Sequence, residues 1–133
     1  MNAVDSSCWL EYFAGTSAAR RYAGTIEDLD SLVVPVIALY EVFRKIYTSA
    51  GEAQALLAVA HMRQGKGAEG DARLSLAAAR LGADLRLPMA DSLIYATARR
   101  HGATLWTQDE HFRGLEGVRY FPVQAVATSR DFR

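Results

Sequence analysis

Short apolar runs alternate with longer segments of helical periodicity along nearly the whole chain, and that alternation leaves few folds open. Residues 2–5 read as a short buried strand. Ser6 and Ser7 follow as helix-capping residues, and Trp9, Leu10 and Phe13 mark a helix that stops at Gly15. A second short helix and turn is expected over 20–30, and Leu32, Val33 and Val34 form the next strand, ended by Pro35. Pro35 suits the first turn of a helix whose Leu39, Val42, Phe43, Ile46 and Tyr47 make an apolar stripe closed by Gly51. Helices are expected over 52–63 and about 69–81, separated by a linker-like stretch at 64–70 where Gly65, Gly67 and Gly70 cluster. Pro88 opens another helix, lined by Leu93, Ile94, Thr97 and Ala98 and stopped by Gly102. Residues 103–106 read as a strand, Asp109 begins a short helix through Leu115, and 118–121 form a last strand before Pro122. Trp9, Phe13, Phe43 and Phe112 are read as core. Strands separated by helices predict an α/β domain with a mainly parallel sheet and helices on both faces.

A chain of 133 residues, half of them hydrophobic, suits one domain with a proper core, expected over 1–126 with a loose tail at 127–133. Lys and Arg number 15 against 15 Asp and Glu, so no bulk positive field marks a nucleic-acid binder and any such affinity must be local. Cys8 is the only cysteine, which rules out an intramolecular disulfide and favours a reducing compartment. No signal-peptide pattern or membrane-length apolar run is visible, and a cytoplasmic protein with no membrane partner is expected.

In an open parallel α/β sheet, ligands bind beyond the carboxyl ends of the strands, and this chain repeatedly puts acids there. Asp5 ends the first strand, Glu41 lies in the second turn of the helix after the second, Asp91 is in the first turn after Pro88, and Asp109 follows the strand at 103–106. Each has a bland explanation. Asp5 and Asp91 favour helix N-terminal dipoles, Asp109 caps a turn, and Glu41 can pair with Arg44 and Lys45 three and four residues on. One shared site accounts for all of them more economically. Carboxylates converging on a small volume repel one another unless a cation is bound. All-oxygen ligation, with no cysteine cluster and no evident histidine pair, suits a hard ion such as Mg²⁺ or Mn²⁺, whose chemistry is water activation for attack on a phosphodiester. Arg44 and Lys45, near Glu41, could grip substrate phosphates. His111, close to Asp109, could shuttle protons, but as a lone histidine on a short surface helix it reads as ordinary.

The segments around these acids resemble the PIN-domain nucleases, most closely the VapC-type toxins of bacterial toxin–antitoxin pairs. The stretches that carry the resemblance are Val4-Asp5-Ser6-Ser7, residues 36–45 around Glu41, Ala90-Asp91-Ser92-Leu93-Ile94-Tyr95-Ala96-Thr97-Ala98, and Gly102-Ala103-Thr104-Leu105-Trp106-Thr107-Gln108-Asp109-Glu110-His111-Phe112. The last two together are the specific part. The resemblance implies a three-layer α/β/α sandwich and catalytic acids Asp5, Glu41, Asp91 and Asp109. It makes Asp5, Asp91 and Asp109 metal ligands and gives Ser6 and Thr107 as groups orienting them. It further implies a Mg²⁺- or Mn²⁺-dependent endoribonuclease that cuts structured RNA such as tRNA or rRNA, dimerises, and is silenced by a cognate VapB-like antitoxin. Exposed members of the Tyr12, Tyr40 and Tyr47 group would then serve dimer or antitoxin contacts. The resemblance fades at 64–70, where similar toxins often have a short apolar strand. The competing class is a non-catalytic PIN-fold module that binds RNA or protein. A phosphatase or phospho-receiver fits poorly, because Asp5-Ser6-Ser7 lacks a second nearby Asp.

Overall fold

The apolar runs become the strands of a single parallel sheet, and the periodic segments cover its two faces. The computed structural model describes residues 1–123. The expected tail at 127–133 lies outside the described residues, as do positions 124–126 of the expected domain.

In chain order the elements are β1 (Asn2–Val4), α1 (Ser6–Ala14), α2 (Arg20–Glu27), β2 (Leu32–Pro35), α3 (Val36–Ala50), α4 (Glu52–Met62), β3 (Lys66–Ala68), α5 (Ala72–Leu85), α6 (Met89–Arg100), β4 (Thr104–Thr107) and β5 (Val118–Tyr120). The strands run in the order β3-β2-β1-β4-β5, and every pairing is parallel. Because successive strand residues point to opposite faces, β1 and β2 feed two cores at once. Val4, Leu32 and Val34 pack under α1 to α4 with Cys8, Trp9, Tyr22, Ile26, Val42 and Met62. Ala3, Val33 and Leu105 face the other way, toward Ile94, Tyr95 and Ala98 of α6 and the wholly buried Phe112. The outcome is the α/β/α sandwich expected from the sequence.

The linker-like reading of 64–70 is overturned at its centre. Residues Lys66–Ala68 form the edge strand β3, with Val33 opposite Lys66 and Val34 opposite Gly67. Only Ala68 of its three residues is buried, so the strand is specified by backbone pairing and carries almost no hydropathy signal. Gly65 leads into it past the flank of β2, where an added Cβ would stand 3.0 Å from Val34 Cγ2 and 3.2 Å from Leu32 Cδ2.

Some boundaries shift for local reasons. Helix α5 begins at Ala72, because Asp71 caps it by accepting the Leu74 N–H at 2.8 Å, and it continues to Leu85. The short helix expected from Asp109 to Leu115 shrinks to one 3-10 turn, Glu110–Phe112, with Gly114 in a left-handed conformation just beyond. Phe43 is not core: it is partly exposed and stacks on exposed Tyr47 with ring centroids 5.6 Å apart. Among the described residues, no helix is long and apolar enough to cross a membrane.

Candidate functional site

From the central strand β1, the chain departs to β2 and β3 on one side, while β4 and β5 lie on the other. The carboxyl ends of β1 and β4 therefore flank the switch point, where the connections diverge and leave a crevice. Asp5 stands directly after β1, and Asp109 lies two residues after β4.

Asp5 is 2% exposed, and its extended backbone makes it the N-cap of α1. Oδ1 accepts the Ser6 N–H at 2.8 Å, while Oδ2 accepts the Ser7 hydroxyl at 2.9 Å and the Thr107 hydroxyl at 3.0 Å. Three donors fix its rotamer. Burial nevertheless raises its pKa, partly offset by the Ser7 and Thr107 hydroxyls, and the charge of Asp109 raises it further. Thr107, fully buried, also accepts the Asp109 N–H at 2.9 Å, so one hydroxyl aligns the carboxylate at the end of β1 with the backbone leaving β4.

Asp91 enters from the other face, in the first turn of α6, where Pro88 supplies the extended residue before the helix. Its carboxyl is pushed up to about 7 by burial first, then by the charges of Asp109 and Asp5, with His111 pulling the other way. Asp109 caps the 3-10 turn by accepting the His111 N–H at 2.9 Å. That turn is pinned by Phe112, whose complete burial beside Tyr95 contributes roughly 2–3 kcal/mol. The capped turn brings the His111 ring back over the acids. Nδ1 lies 2.9 Å from Asp91 Oδ2 and 3.1 Å from Asp109 Oδ1. Both carboxylates, Asp109 foremost, hold the imidazole pKa above its ordinary value.

Glu41, half-buried on α3, joins through Ser6, whose hydroxyl donates to Glu41 Oε1 at 2.7 Å. Among the described residues it forms no ion pair with Arg44 or Lys45, so the bland explanation for this acid does not hold. Arg44 and Lys45 are exposed and, with Tyr40, Glu41 and Thr48, line a shallow cavity of about 370 Å³ on the same helix. Ligand atoms of Asp91, Asp109 and His111 lie within 4.8 Å of one another, while Asp5 joins them through Thr107 and its charge, and Glu41 through Ser6. The structure therefore brings all the sequence-predicted acids and both orienting hydroxyls to one end of the sheet. It adds His111, which the sequence alone presents as an ordinary surface histidine. The available signal was its position two residues after an Asp that caps a turn, a spacing that folds the side chain back onto the capping carboxylate.

The donor set fits a divalent cation. Burial, and then the charge of Asp109, raise the pKa of both Asp5 and Asp91, and among the described residues no Lys or Arg pairs with any of the three acids. Even a protonated His111 offsets only one of the three carboxylate charges, and a bound cation would compensate the remainder.

Fold and site together define an α/β/α protein with an acidic centre at the strand exits. A family model described as PIN domain matches residues 3–118, and the chain belongs to that family. No curated protein matches the sequence. Among solved structures, the chain is similar to a toxin–antitoxin complex from Klebsiella pneumoniae, with 18% identity and a TM-score of 0.76 over 92% of this chain and 100% of that one. It is also similar to VapBC2 from Rickettsia felis bound to a promoter DNA fragment, with 14% identity and a TM-score of 0.70 over 91% and 97%. A third similar structure is Mycobacterium tuberculosis VapC20, a toxin that cleaves the sarcin-ricin loop, with 18% identity and a TM-score of 0.65 over 78% and 85%.

Proposed function

We propose that the chain is a divalent-metal-dependent endoribonuclease, the toxin of a toxin–antitoxin pair, acting in the cytoplasm on structured RNA such as tRNA or rRNA. The observation that carries this reading is the group of acids Asp5, Asp91 and Asp109, drawn from both faces of the sheet and paired with no Lys or Arg among the described residues. Asp5, Asp91 and Asp109 hold the ion, Mg²⁺ or Mn²⁺. When bound, it supplies water activation and offsets charge on the phosphodiester.

The chain's own residues do the rest. Ser7 and Thr107 clamp Asp5, so its oxygens need little reorganisation on binding a cation. Ser6 holds Glu41 at the rim, where its carboxylate can take a proton from an incoming nucleophile. Arg44 and Lys45 project from the same helix and grip phosphates flanking the cut, an affinity that weakens with salt. A cognate VapB-like antitoxin is the partner this reading assigns, and homodimer formation is its expected assembly. The solved toxin–antitoxin complexes of the same fold support the first of these. A groove of about 630 Å³ between α1, α3 and α4, lined by Leu10, Phe13, Ile46, Leu57 and His61, gives such a partner an apolar surface.

Purified protein incubated with total RNA and Mg²⁺ or Mn²⁺ is expected to generate discrete cleavage ends. Chelation by EDTA should abolish them, as should Asp5→Asn and Asp91→Asn in variants that remain folded. Undiminished cleavage by either variant would defeat the assignment.

A further inference from the structure

We propose that the His111 imidazole is itself a ligand of the divalent ion, placing one nitrogen in an otherwise carboxylate set and turning the site's preference from Mg²⁺ toward Mn²⁺. The inference rests on the nuclease reading above and deepens it.

The geometry that points to it is the position of one atom. His111 Nδ1 stands 2.9 Å from Asp91 Oδ2 and 3.1 Å from Asp109 Oδ1. Adjacent ligands of an octahedral ion with bonds of about 2.1 Å are separated by about 3.0 Å, the edge of that octahedron. The two nitrogen–oxygen spacings match the separations that adjacent ligands of such an ion require. A surface histidine paired with one acid for charge alone has no reason to stand equally close to a second acid from another element. Here Asp91 comes from α6 and Asp109 from the turn after β4.

The support for the ring is built from the backbone. Asp109 Oδ1 accepts the His111 N–H, so the acid that shares the ion also fixes the turn carrying the ring. Phe112, the next residue, is wholly buried and stops the turn from swinging out. With the His111 side chain 53% exposed, Nδ1 faces the acids while water can reach the site from the open side. When the ion enters, the neutral tautomer protonated at Nε2 presents the Nδ1 lone pair, and the Nδ1 proton leaves to solvent.

Nitrogen changes selectivity for a chemical reason. Mg²⁺ holds its waters tightly and takes oxygen ligands, whereas Mn²⁺ lies higher in affinity for nitrogen-containing sets. An imidazole therefore strengthens Mn²⁺ binding more than Mg²⁺ binding.

The test reads the metal rather than the reaction. Mn²⁺ bound to the full chain is examined by pulsed electron paramagnetic resonance, in which a directly bound imidazole nitrogen modulates the spin echo. That modulation is expected in the wild-type protein and absent in His111→Ala and His111→Gln, both of which still bind Mn²⁺ through the acids. Titration should show Mn²⁺ affinity falling by roughly tenfold or more in His111→Ala, with Mg²⁺ affinity, measured by competition, changing several-fold less. Mn²⁺ binding without nitrogen modulation in the wild type, modulation that survives in both variants, or equal losses for the two ions would overturn the inference and leave the acid site standing. Failure of the wild type to bind Mn²⁺ at all would bring down the nuclease reading along with it.

Discussion

Thr107 Oγ1 donates to Asp5 Oδ2 at 3.0 Å, a buried hydrogen bond between residues 102 positions apart that ties the end of β4 to the end of β1. The same oxygen accepts the Asp109 N–H, so a single hydroxyl orients two of the acids. Thr107→Val keeps the shape and removes both bonds. It should leave the Asp109 N–H without a partner and destabilise the fold by about 1–3 kcal/mol. Metal affinity should fall about 10–100-fold, the usual effect of losing a group that aligns a ligand. Thr107→Ser should retain most of both. Denaturant unfolding and metal titration on the same samples decide the matter, and an unaltered metal affinity in Thr107→Val would count against the alignment role.

Burial of the acids, and after it their mutual repulsion, sets a direction for stability against pH in the metal-free protein. The Asp91 carboxyl titrates near 7 in the folded chain, well above the unfolded value of 3.8, so the folded state holds more protons across that interval. Asp5 shifts the same way. Stability should therefore fall as pH rises between about 4 and 7, by up to about 4 kcal/mol. His111 acts with the same sign: its raised pKa contributes stability at low pH that is lost as the ring deprotonates. Saturating Mn²⁺ should reverse the trend near neutrality, since it binds the ionised form. Melting curves across this range, with and without metal and in Asp91→Asn, check the prediction. The variant's profile should be flatter, and a wild-type profile rising with pH in the absence of metal would contradict the account.

Legibility in the sequence followed the strength of the physical signal. The order of strands and helices could be read because β1, β2 and β4 each carry buried apolar residues, while α1, α3 and α6 carry stripes and stops at Gly15, Gly51 and Gly102. Asp5, Asp91 and Asp109 could be read because each stands just after a strand or in the first turn of a helix, and Glu41 because it lies one turn further along the helix that follows β2. Strand β3 could not, since Lys66 and Gly67 are exposed and only backbone bonding to β2 defines it. His111 was read as an ordinary surface histidine for a different reason: its place beside Asp91 depends on how a three-residue turn folds back, which neither hydropathy nor charge spacing records. Phe43 was misjudged because a helical stripe does not reveal how much of its width the sheet covers.

Glu41 depends on Ser6 for its place. The Ser6 hydroxyl reaches Glu41 Oε1 at 2.7 Å, whereas its contact with Asp5 Oδ1 is long, at 3.5 Å. Ser6→Ala therefore releases Glu41 and leaves Asp5 held by the Ser6 backbone N–H, Ser7 and Thr107. RNA cleavage should slow by on the order of tenfold with metal affinity nearly unchanged. Glu41→Gln should cost at least as much, and the double variant should be no worse than Glu41→Gln alone, because the two act as one unit. Multiplicative losses in single-turnover kinetics would show that Ser6 works independently of Glu41.

Gly82 and Gly65 allow damage to the fold to be separated from damage to the site. Gly82 lies in α5 where that helix meets the start of α6: an added Cβ would stand 3.2 Å from Ser92 Cβ and 3.4 Å from the Leu87 carbonyl. Ser92 neighbours Asp91, so the methyl of Gly82→Ala pushes on the very turn that presents this carboxylate. Gly65, by contrast, precedes β3 at the end of the sheet opposite the acids, and its Cβ would meet only Val34 and Leu32 side chains. Overpacking in either place costs about 1–3 kcal/mol, offset for Gly82 by about 1 kcal/mol of improved helix propensity. Gly65→Ala should thus be the less stable variant with metal affinity intact, and Gly82→Ala the more stable one with metal affinity lowered several-fold. The reverse ranking, measured by thermal unfolding and Mn²⁺ titration, would mean that α6 does not set the position of Asp91.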